Sequence, residues 1–186
     1  GRGRSWANLG RCLHLLGSAA EATAAYERAV ELEPTSWEVA RNFAELAAEV
    51  GAIGRAEALL RVWAEQRPDD ADASLALGEL LAATDRVAAA RELLEEAVSR
   101  IEDDARLHAL LGGVLLGSGA RGEAEARYAR ALELRPEDPA LMSNVALLLA
   151  ERGEVGEAEA LAVRATILAP DDGVARQILD HIRKKN

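Results

Sequence analysis

Residues 6–34 read WANLGRCLHLLGSAAEATAAYERAVELEP, and this stretch decides the fold. Between Trp6 and Leu16 the apolar residues recur at the three- and four-residue spacing of an amphipathic helix. Gly17 interrupts the pattern, a second helical pattern follows, and Pro34 ends it. Glycine can close a helix in the left-handed conformation, and proline cannot continue one. The stretch therefore predicts two antiparallel helices joined by a tight turn.

The same pattern recurs along the chain. Pro34 and Pro68 are 34 residues apart, and so are Pro136 and Pro170. A period of 34 residues fits the sequence without a single insertion and defines five repeats, at 3–36, 37–70, 71–104, 105–138 and 139–172. Turn residues at one place of the repeat follow the first helix each time, namely Gly17, Gly51, Asp85, Gly119 and Gly153.

Two places of the repeat hold small residues. The twentieth place is alanine in every repeat, at Ala22, Ala56, Ala90, Ala124 and Ala158. The eighth place is glycine or alanine, at Gly10, Ala44, Gly78, Gly112 and Ala146. Where two helices cross at a short distance, larger side chains would collide. These places therefore predict close packing within each helix pair, and a unit this short must stack on its neighbours to bury its apolar face.

The pattern resembles the tetratricopeptide repeat family, which the first repeat matches at Trp6, Leu9, Gly10, Ala22, Tyr26, Ala29 and Pro34. The resemblance implies an all-α, right-handed α-solenoid (a superhelix) of antiparallel helix pairs, with about eleven helices. We expect one domain over residues 1–186, closed by a capping helix at 173–186 with a polar outer face. The chain lacks an initiator methionine, and we expect it to be a fragment of a longer protein.

Composition argues against several classes of partner. The chain has 22 basic and 32 acidic residues, so a nucleic-acid backbone is not an expected ligand. No apolar run approaches the roughly 20 residues that membrane insertion requires. The single cysteine, Cys12, excludes an internal disulfide and fits a reducing compartment, which favours the cytoplasm. Cys12 itself is interpreted as a small buried apolar residue.

The sequence predicts no enzyme, no cofactor and no metal site. Its histidines, His14, His108 and His181, are too far apart to share a metal, and His108 is interpreted as a packed core residue. A GxGxxG string (residues 117–122) lacks the preceding strand that a dinucleotide site requires. The paired carboxylates are expected to cap first helices, at 69–70, 103–104 and 171–172.

The resemblance places the first helices on the concave face, where family members bind ligands. Asn8, Asn42 and Asn144 share the sixth place, and an asparagine side chain offers both a donor and an acceptor to a peptide backbone. They resemble the asparagine ladder of the O-linked N-acetylglucosamine transferases. Alternatively, asparagine is simply common at this place in the family.

The remaining inward places are apolar or charged. Around the third and fourth repeats they indicate a smooth apolar trough, suited to a helix or an apolar side chain, although some of these residues could instead be buried between first helices. The charges of the second and third repeats favour a ligand with a basic portion. The predicted peptide-binding residues are Asn8, Arg11, Arg41, Asn42, Glu45, Leu75, Glu79, Ala109, Gly113, Leu116, Asn144 and Leu147.

The sequence thus favours a protein–protein interaction module or scaffold that binds an extended or helical segment of a partner in its groove. One alternative is a substrate-recruiting or regulatory arm of a multidomain enzyme of the glycosyltransferase or sulfotransferase type. The other is a self-assembling scaffold, which associates through its first repeat or its groove.

Overall fold

All regular secondary structure in the described part of the chain is helical. The computed structural model describes residues 1–34, 36–50, 53–171 and 173–185, and it contains eleven α-helices within these ranges. The predicted all-α class is therefore confirmed.

The chain divides into two compact units, Gly1–Arg100 (unit 1) and Ile101–Asn186 (unit 2). In unit 1 three helix pairs pack in succession, formed by α1 (Arg2–Leu15), α2 (Ala19–Leu32), α3 (Trp37–Val50), α4 (Ile53–Gln66), α5 (Ala71–Ala83) and α6 (Val87–Arg100). In unit 2 two pairs are followed by a final helix that packs on both α9 and α10. These helices are α7 (Ala105–Gly117), α8 (Arg121–Leu134), α9 (Pro139–Arg152), α10 (Val155–Leu168) and α11 (Gly173–Lys185).

The helix boundaries follow the repeat of the sequence. The second helices of the five pairs begin 34 residues apart, at Ala19, Ile53, Val87, Arg121 and Val155. From α3 onward each first helix begins at the first residue of a sequence repeat, at residues 37, 71, 105 and 139. The last helix, α11, begins at 173. The sequence period and the structural period therefore coincide.

Glycine at the eighth place lies against a tyrosine of the second helix. A β-carbon on Gly10 would lie 3.0 Å from the ring of Tyr26, and one on Gly112 would lie 3.1 Å from the ring of Tyr128. Both tyrosines are buried, and the alanine at the twentieth place is fully buried in every repeat. The interpretation that small residues permit close packing within a pair is confirmed at these positions.

Tight turns connect the paired helices. Gly17, Gly119 and Gly153 have φ values of 77°, 82° and 91°, and Asp85 at the same place has a φ of 58°. A β-carbon on any of these glycines would meet nothing within 4 Å. Glycine is therefore favoured here by its conformational freedom and not by a lack of space. The predicted turn residue Gly51 lies outside the described residues.

Aspartates cap first helices, as the paired carboxylates predicted. The Asp70 side chain accepts the backbone N–H of Asp72 at 3.1 Å, and the Asp104 side chain accepts that of Arg106 at 2.8 Å. Burial opposes ionisation of Asp104, but hydrogen bonds from the side chain and backbone of Arg106 outweigh it and lower the pKa of this carboxyl. Asp172, from the third predicted pair, lies outside the described residues.

Exposed ion pairs join successive repeats of unit 1. Arg55 on α4 lies 2.8 Å from Glu27 on α2. Glu57 on α4 accepts a hydrogen bond from Arg86, just before α6, and this bond is the main cause of the lowered pKa of Glu57. Exposed pairs of this kind contribute about 0–1 kcal/mol each. The stacking of repeats therefore depends mainly on their apolar contacts.

The core of unit 2 continues to its last helix. Met142, Ala165 and Ala175 form a buried cluster where α9, α10 and α11 meet. His108 on α7 is also buried, with Nε2 3.0 Å from the carbonyl oxygen of Glu102. The interpretation of His108 as a packed core residue is confirmed.

The first helix is more exposed than its sequence pattern implies. Trp6 and Leu9 are 39% and 43% exposed, and Cys12 is exposed as well. The interpretation of Cys12 as a buried residue is therefore wrong. The residues of α3 that correspond to Trp6 and Leu9 are Ala40 and Phe43, and both are buried because α1 and α2 pack on α3.

Replacing Gly112 by alanine should destabilise the fold, because the new methyl group must displace the Tyr128 ring. Overpacking costs about 1–3 kcal/mol, which exceeds the gain of about 1 kcal/mol that alanine brings to a helix interior. Urea denaturation of the parent and Gly112→Ala measures the difference. Gly117→Ala is the matched control, since its methyl group would enter open space on the same helix. Equal stability of the two variants would contradict this account.

Replacing Gly119 by alanine should destabilise the fold for a different reason. The turn holds this residue at positive φ, where an alanine side chain costs roughly 1–2 kcal/mol even though there is room for it. Gly122→Ala, in helical backbone of α8 and equally free of contacts, should not lower the denaturation midpoint. If both variants kept the parent midpoint, the turn would be more tolerant than its backbone geometry implies.

Candidate peptide-binding groove

The predicted groove residues of unit 1 lie on its first helices. Asn8 and Arg11 are exposed on α1, whereas Asn42 is half-buried on α3. Arg41 and Glu45 are exposed on α3. Because α1 contacts α3 and α3 contacts α5, these side chains share one series of neighbouring helices.

Ion pairs connect the first helices across this series. Arg4 on α1 lies 3.5 Å from Glu38 on α3, and Nε2 of His14 lies 2.6 Å from the carboxylate of Glu49. These pairs engage charges at both ends of α3. The predicted groove residues Arg41 and Glu45 lie between these two pairs along α3.

A cavity of about 180 Å³ lies between α3 and α5. Its walls are alanines and a leucine, and its rim carries charged side chains, the lining residues being Arg41, Ala44, Glu45, Ala76, Glu79, Leu80 and Ala83. Three predicted site residues, Arg41, Glu45 and Glu79, are thus brought together. Ala44 and Leu80 were not predicted as groove residues, because they occupy a small packing place and an apolar place.

The two carboxylates of this cavity repel each other. Partial burial and the negative charge of Glu45 raise the pKa of Glu79, and Arg41 only partly opposes them. Nε of Arg41 lies 3.9 Å from the carboxylate of Glu45. A positively charged group entering the cavity would relieve this repulsion.

The tyrosine of the first helix pair reaches the same region. Burial raises the pKa of Tyr26 to about 12, the charge of Glu45 adds to the shift, and Arg11 opposes it. The absence of a side chain at Gly10 lets this ring lie across the pair. The core of the first repeat is therefore electrostatically coupled to the groove residues Arg11 and Glu45.

The structure describes all of the predicted groove residues. Leu75 is buried, whereas the others are exposed or half-buried. Its neighbour Ala76, also buried, still lines the cavity. Leu75 thus serves packing within unit 1, which was the alternative reading of the apolar trough.

In unit 2 the predicted residues lie on α7 and α9. Gly113 is exposed, and a β-carbon there would lie 3.3 Å from the hydroxyl of Tyr128. The others are half-buried, namely Ala109, Leu116, Asn144 and Leu147. The three asparagines are therefore divided, with Asn8 and Asn42 in unit 1 and Asn144 in unit 2.

A larger cavity, of about 530 Å³, lies among α4, α5 and α6. Its rim includes Arg61 and Arg100, which pair with Glu57 and Glu96 of their own helices at 2.8 and 2.6 Å. Because both arginines already pair within their own helices, they offer an anionic ligand little new charge.

Two sequence profiles described as tetratricopeptide repeat match the chain, one at residues 13–72 and 62–113 and the other at 109–173. The chain belongs to the tetratricopeptide repeat family. Members of this family are repeat scaffolds for protein–protein interaction and are generally non-catalytic.

Solved structures of the family share this fold. A thermophilic tetratricopeptide repeat protein of Thermus thermophilus, TTC0263, is 25% identical with a TM-score of 0.73, covering 98% of this chain and 99% of its own. Pseudomonas aeruginosa pilF is 18% identical with a TM-score of 0.76, covering 98% and 83%. YrrB, described as having an unusual peptide-binding site, is 20% identical with a TM-score of 0.63, covering 97% and 91%. The predicted α-solenoid class is confirmed.

No protein of curated function matches the sequence. In the described ranges, no helix is long and apolar enough to cross a bilayer. The same residues contain no cluster of three or more histidine, cysteine or carboxylate side chains that could hold a metal ion.

Replacing Glu79 by glutamine should stabilise the fold at neutral pH. Its pKa is raised, so the folded protein holds the proton more tightly than the unfolded chain does, and the ionised carboxylate costs stability. This cost is absent below the unfolded pKa of about 4.3 and is complete above the raised folded pKa. Melting temperatures at pH 7 should therefore be higher for Glu79→Gln than for the parent, and the difference should disappear in acid.

The control is Glu92→Gln, which removes one exposed charge from α6. If both variants gained equally at pH 7, the effect would come from net charge and not from the cavity.

Proposed function

We propose that unit 1 binds a segment of a partner protein along the exposed faces of α1, α3 and α5, and that a lysine or arginine of this segment enters the cavity between Glu45 and Glu79. The observation that carries the proposal is the pair of mutually repelling carboxylates at the rim of an apolar-walled cavity. The walls suit the aliphatic stem of a long basic side chain, and the carboxylates suit its charged end.

The asparagines supply the second element of recognition. Asn8 and Asn42 occupy the same place on neighbouring helices, and each amide can donate to and accept from a peptide backbone. Backbone contacts hold a segment regardless of its sequence, while the cavity selects one side chain. Arg11 and Arg41 lie beside these asparagines and favour an acidic residue next to the basic one.

Unit 2 offers a less polar surface. We assign Ala109, Gly113, Leu116 and Leu147 to contacts with an apolar part of a ligand, and Asn144 to its backbone. The absence of a side chain at Gly113 supports this assignment, because it leaves the Tyr128 hydroxyl close to the exposed surface. YrrB, which has the same fold, is described as having a peptide-binding site, and its likeness supports this general mode without identifying a ligand.

A phage-displayed library of random peptides tests the proposal, followed by fluorescence anisotropy on selected sequences. We expect the selected peptides to share a lysine or arginine. The double variant Glu45→Gln, Glu79→Gln should weaken their binding by about tenfold or more, since a desolvated charge pair contributes well over 1 kcal/mol. Asn8→Ala with Asn42→Ala should weaken all selected peptides by similar factors, because it removes contacts to the backbone.

The matched control is Glu92→Gln with Glu157→Gln, which removes the same charge from exposed positions on second helices. Binding that is equally weak in both double variants would reflect the net charge of the chain alone. Selected peptides without a shared basic residue would refute the role of the cavity, and binding that ignores the asparagine changes would refute the backbone contacts.

A further inference from the structure

The cavity of about 530 Å³ among α4, α5 and α6 contains a buried serine. Ser74 on α5 lines this cavity and is only 7% exposed. No residue that the structure describes forms a hydrogen bond with its hydroxyl. A molecule that covers a buried hydroxyl without bonding to it loses affinity, because the hydroxyl then gives up water for nothing. An occupant of this cavity is therefore expected to carry a polar group that reaches Ser74.

The small size of Ser74 accounts for part of the space. Ser74 occupies the fourth place of its repeat, where α1, α7 and α9 carry Trp6, His108 and Met142. Of the first helices in the five pairs, only α3 also has a small residue there, Ala40. His108 and Met142 are buried, so in unit 2 this place of the repeat accommodates a large side chain within the core.

The remaining walls of the cavity are largely apolar. Ala64 on α4, Leu77 on α5, and Leu93 and Ala97 on α6 line it from three sides. Its volume lies within the range of about 300–1,000 Å³ that is typical of small-molecule sites. It is also much larger than the cavity of about 180 Å³ between α3 and α5. The cavity therefore suits a whole small molecule with an apolar body.

The charges at the rim select the sign of the ligand. The two arginines there already pair with glutamates of their own helices, at 2.8 and 2.6 Å. The exposed carboxylates of Glu65 and Asp69 also line the cavity, and within the described ranges neither of them has an ion pair. Two unpaired carboxylates beside an apolar cavity favour a cation.

We propose that this cavity binds a small organic amine that has an apolar body and a hydroxyl group at the end opposite its ammonium group. The ammonium group lies at the rim with Glu65 and Asp69, and the apolar body lies against Leu77 and Leu93. The Ser74 hydroxyl donates to, or accepts from, the hydroxyl of the ligand. This site uses none of the predicted groove residues, so it does not depend on the partner-binding function proposed above.

Titration of the 186-residue chain with tyramine, followed by ¹H–¹⁵N NMR, tests the proposal. We expect saturable shifts of the backbone signals of Ser74, Leu77 and Ala97. Phenethylamine lacks the hydroxyl and should bind about tenfold more weakly or worse, because Ser74 would be covered without a partner. The compound 3-(4-hydroxyphenyl)propionate replaces the ammonium by a carboxylate and should bind about threefold more weakly or worse, since exposed charges contribute modestly.

Two variants of Ser74 separate the hydrogen bond from the space. Ser74→Ala keeps the cavity and removes the hydroxyl, so tyramine should bind this variant no better than phenethylamine does. Ser74→Met introduces the side chain that α9 carries at the same place and should abolish the shifts, while the chain keeps its helical circular dichroism. If Ser74→Met does not fold, the comparison of the two amines on the parent and Ser74→Ala still decides the role of Ser74.

The carboxylates have their own test. Glu65→Gln with Asp69→Asn should weaken tyramine binding by about threefold or more. Glu45→Gln with Glu79→Gln is the matched control, because it removes the same charge from the cavity between α3 and α5, and it should leave tyramine binding unchanged. The absence of saturable shifts overturns the proposal. Equal binding of both amines to the parent, or equal loss of binding in the two double variants, also overturns it.

Discussion

The contact between the backbone of Gly10 and the ring of Tyr26, repeated by Gly112 and Tyr128, is the constraint on which the rest of the structure depends. It fixes the distance between paired helices, because nothing larger than hydrogen fits between them without displacing the ring. The Tyr26 ring also lies 5.9 Å from that of Phe43 in the next repeat, so the same residue connects packing within a pair to stacking between pairs. The Tyr26 ring thus packs against α3, the helix that carries Glu45.

Much of the fold could be predicted because its determinants are local. The turn at Gly119 requires positive φ, which favours glycine at that place of the repeat. The cap at Asp104 requires an acceptor two residues before a free N–H, which favours aspartate at that place. A strict repeat then multiplies each local signal, since the same requirement appears in successive units. Register and helix limits follow from such signals without knowledge of tertiary contacts.

What the sequence pattern missed depends on neighbours. Trp6 and Leu9 have the types and spacing of core residues, and their exposure follows from what packs on α1, which periodicity does not record. For the same reason Leu75 was predicted as a groove residue and is buried. The candidate groove was predicted only as a set of inward places. Periodicity does not give the distances between helices. Those distances show that Glu45 and Glu79 share one cavity and that His14 pairs with Glu49.

The exposed ion pairs between the second helices give unit 1 an uneven resistance to bending. Arg55 and Glu27, or Arg86 and Glu57, can lengthen or exchange for water at a cost of about 0–1 kcal/mol each. The buried contacts around Phe43 and Leu77 are short-ranged and close-packed, so they resist the same displacement far more strongly. We therefore expect unit 1 to bend by changes in the distances between its second helices, while its buried contacts are kept. Such compliance would let the spacing of α1, α3 and α5 adjust to segments of different thickness without breaking the core.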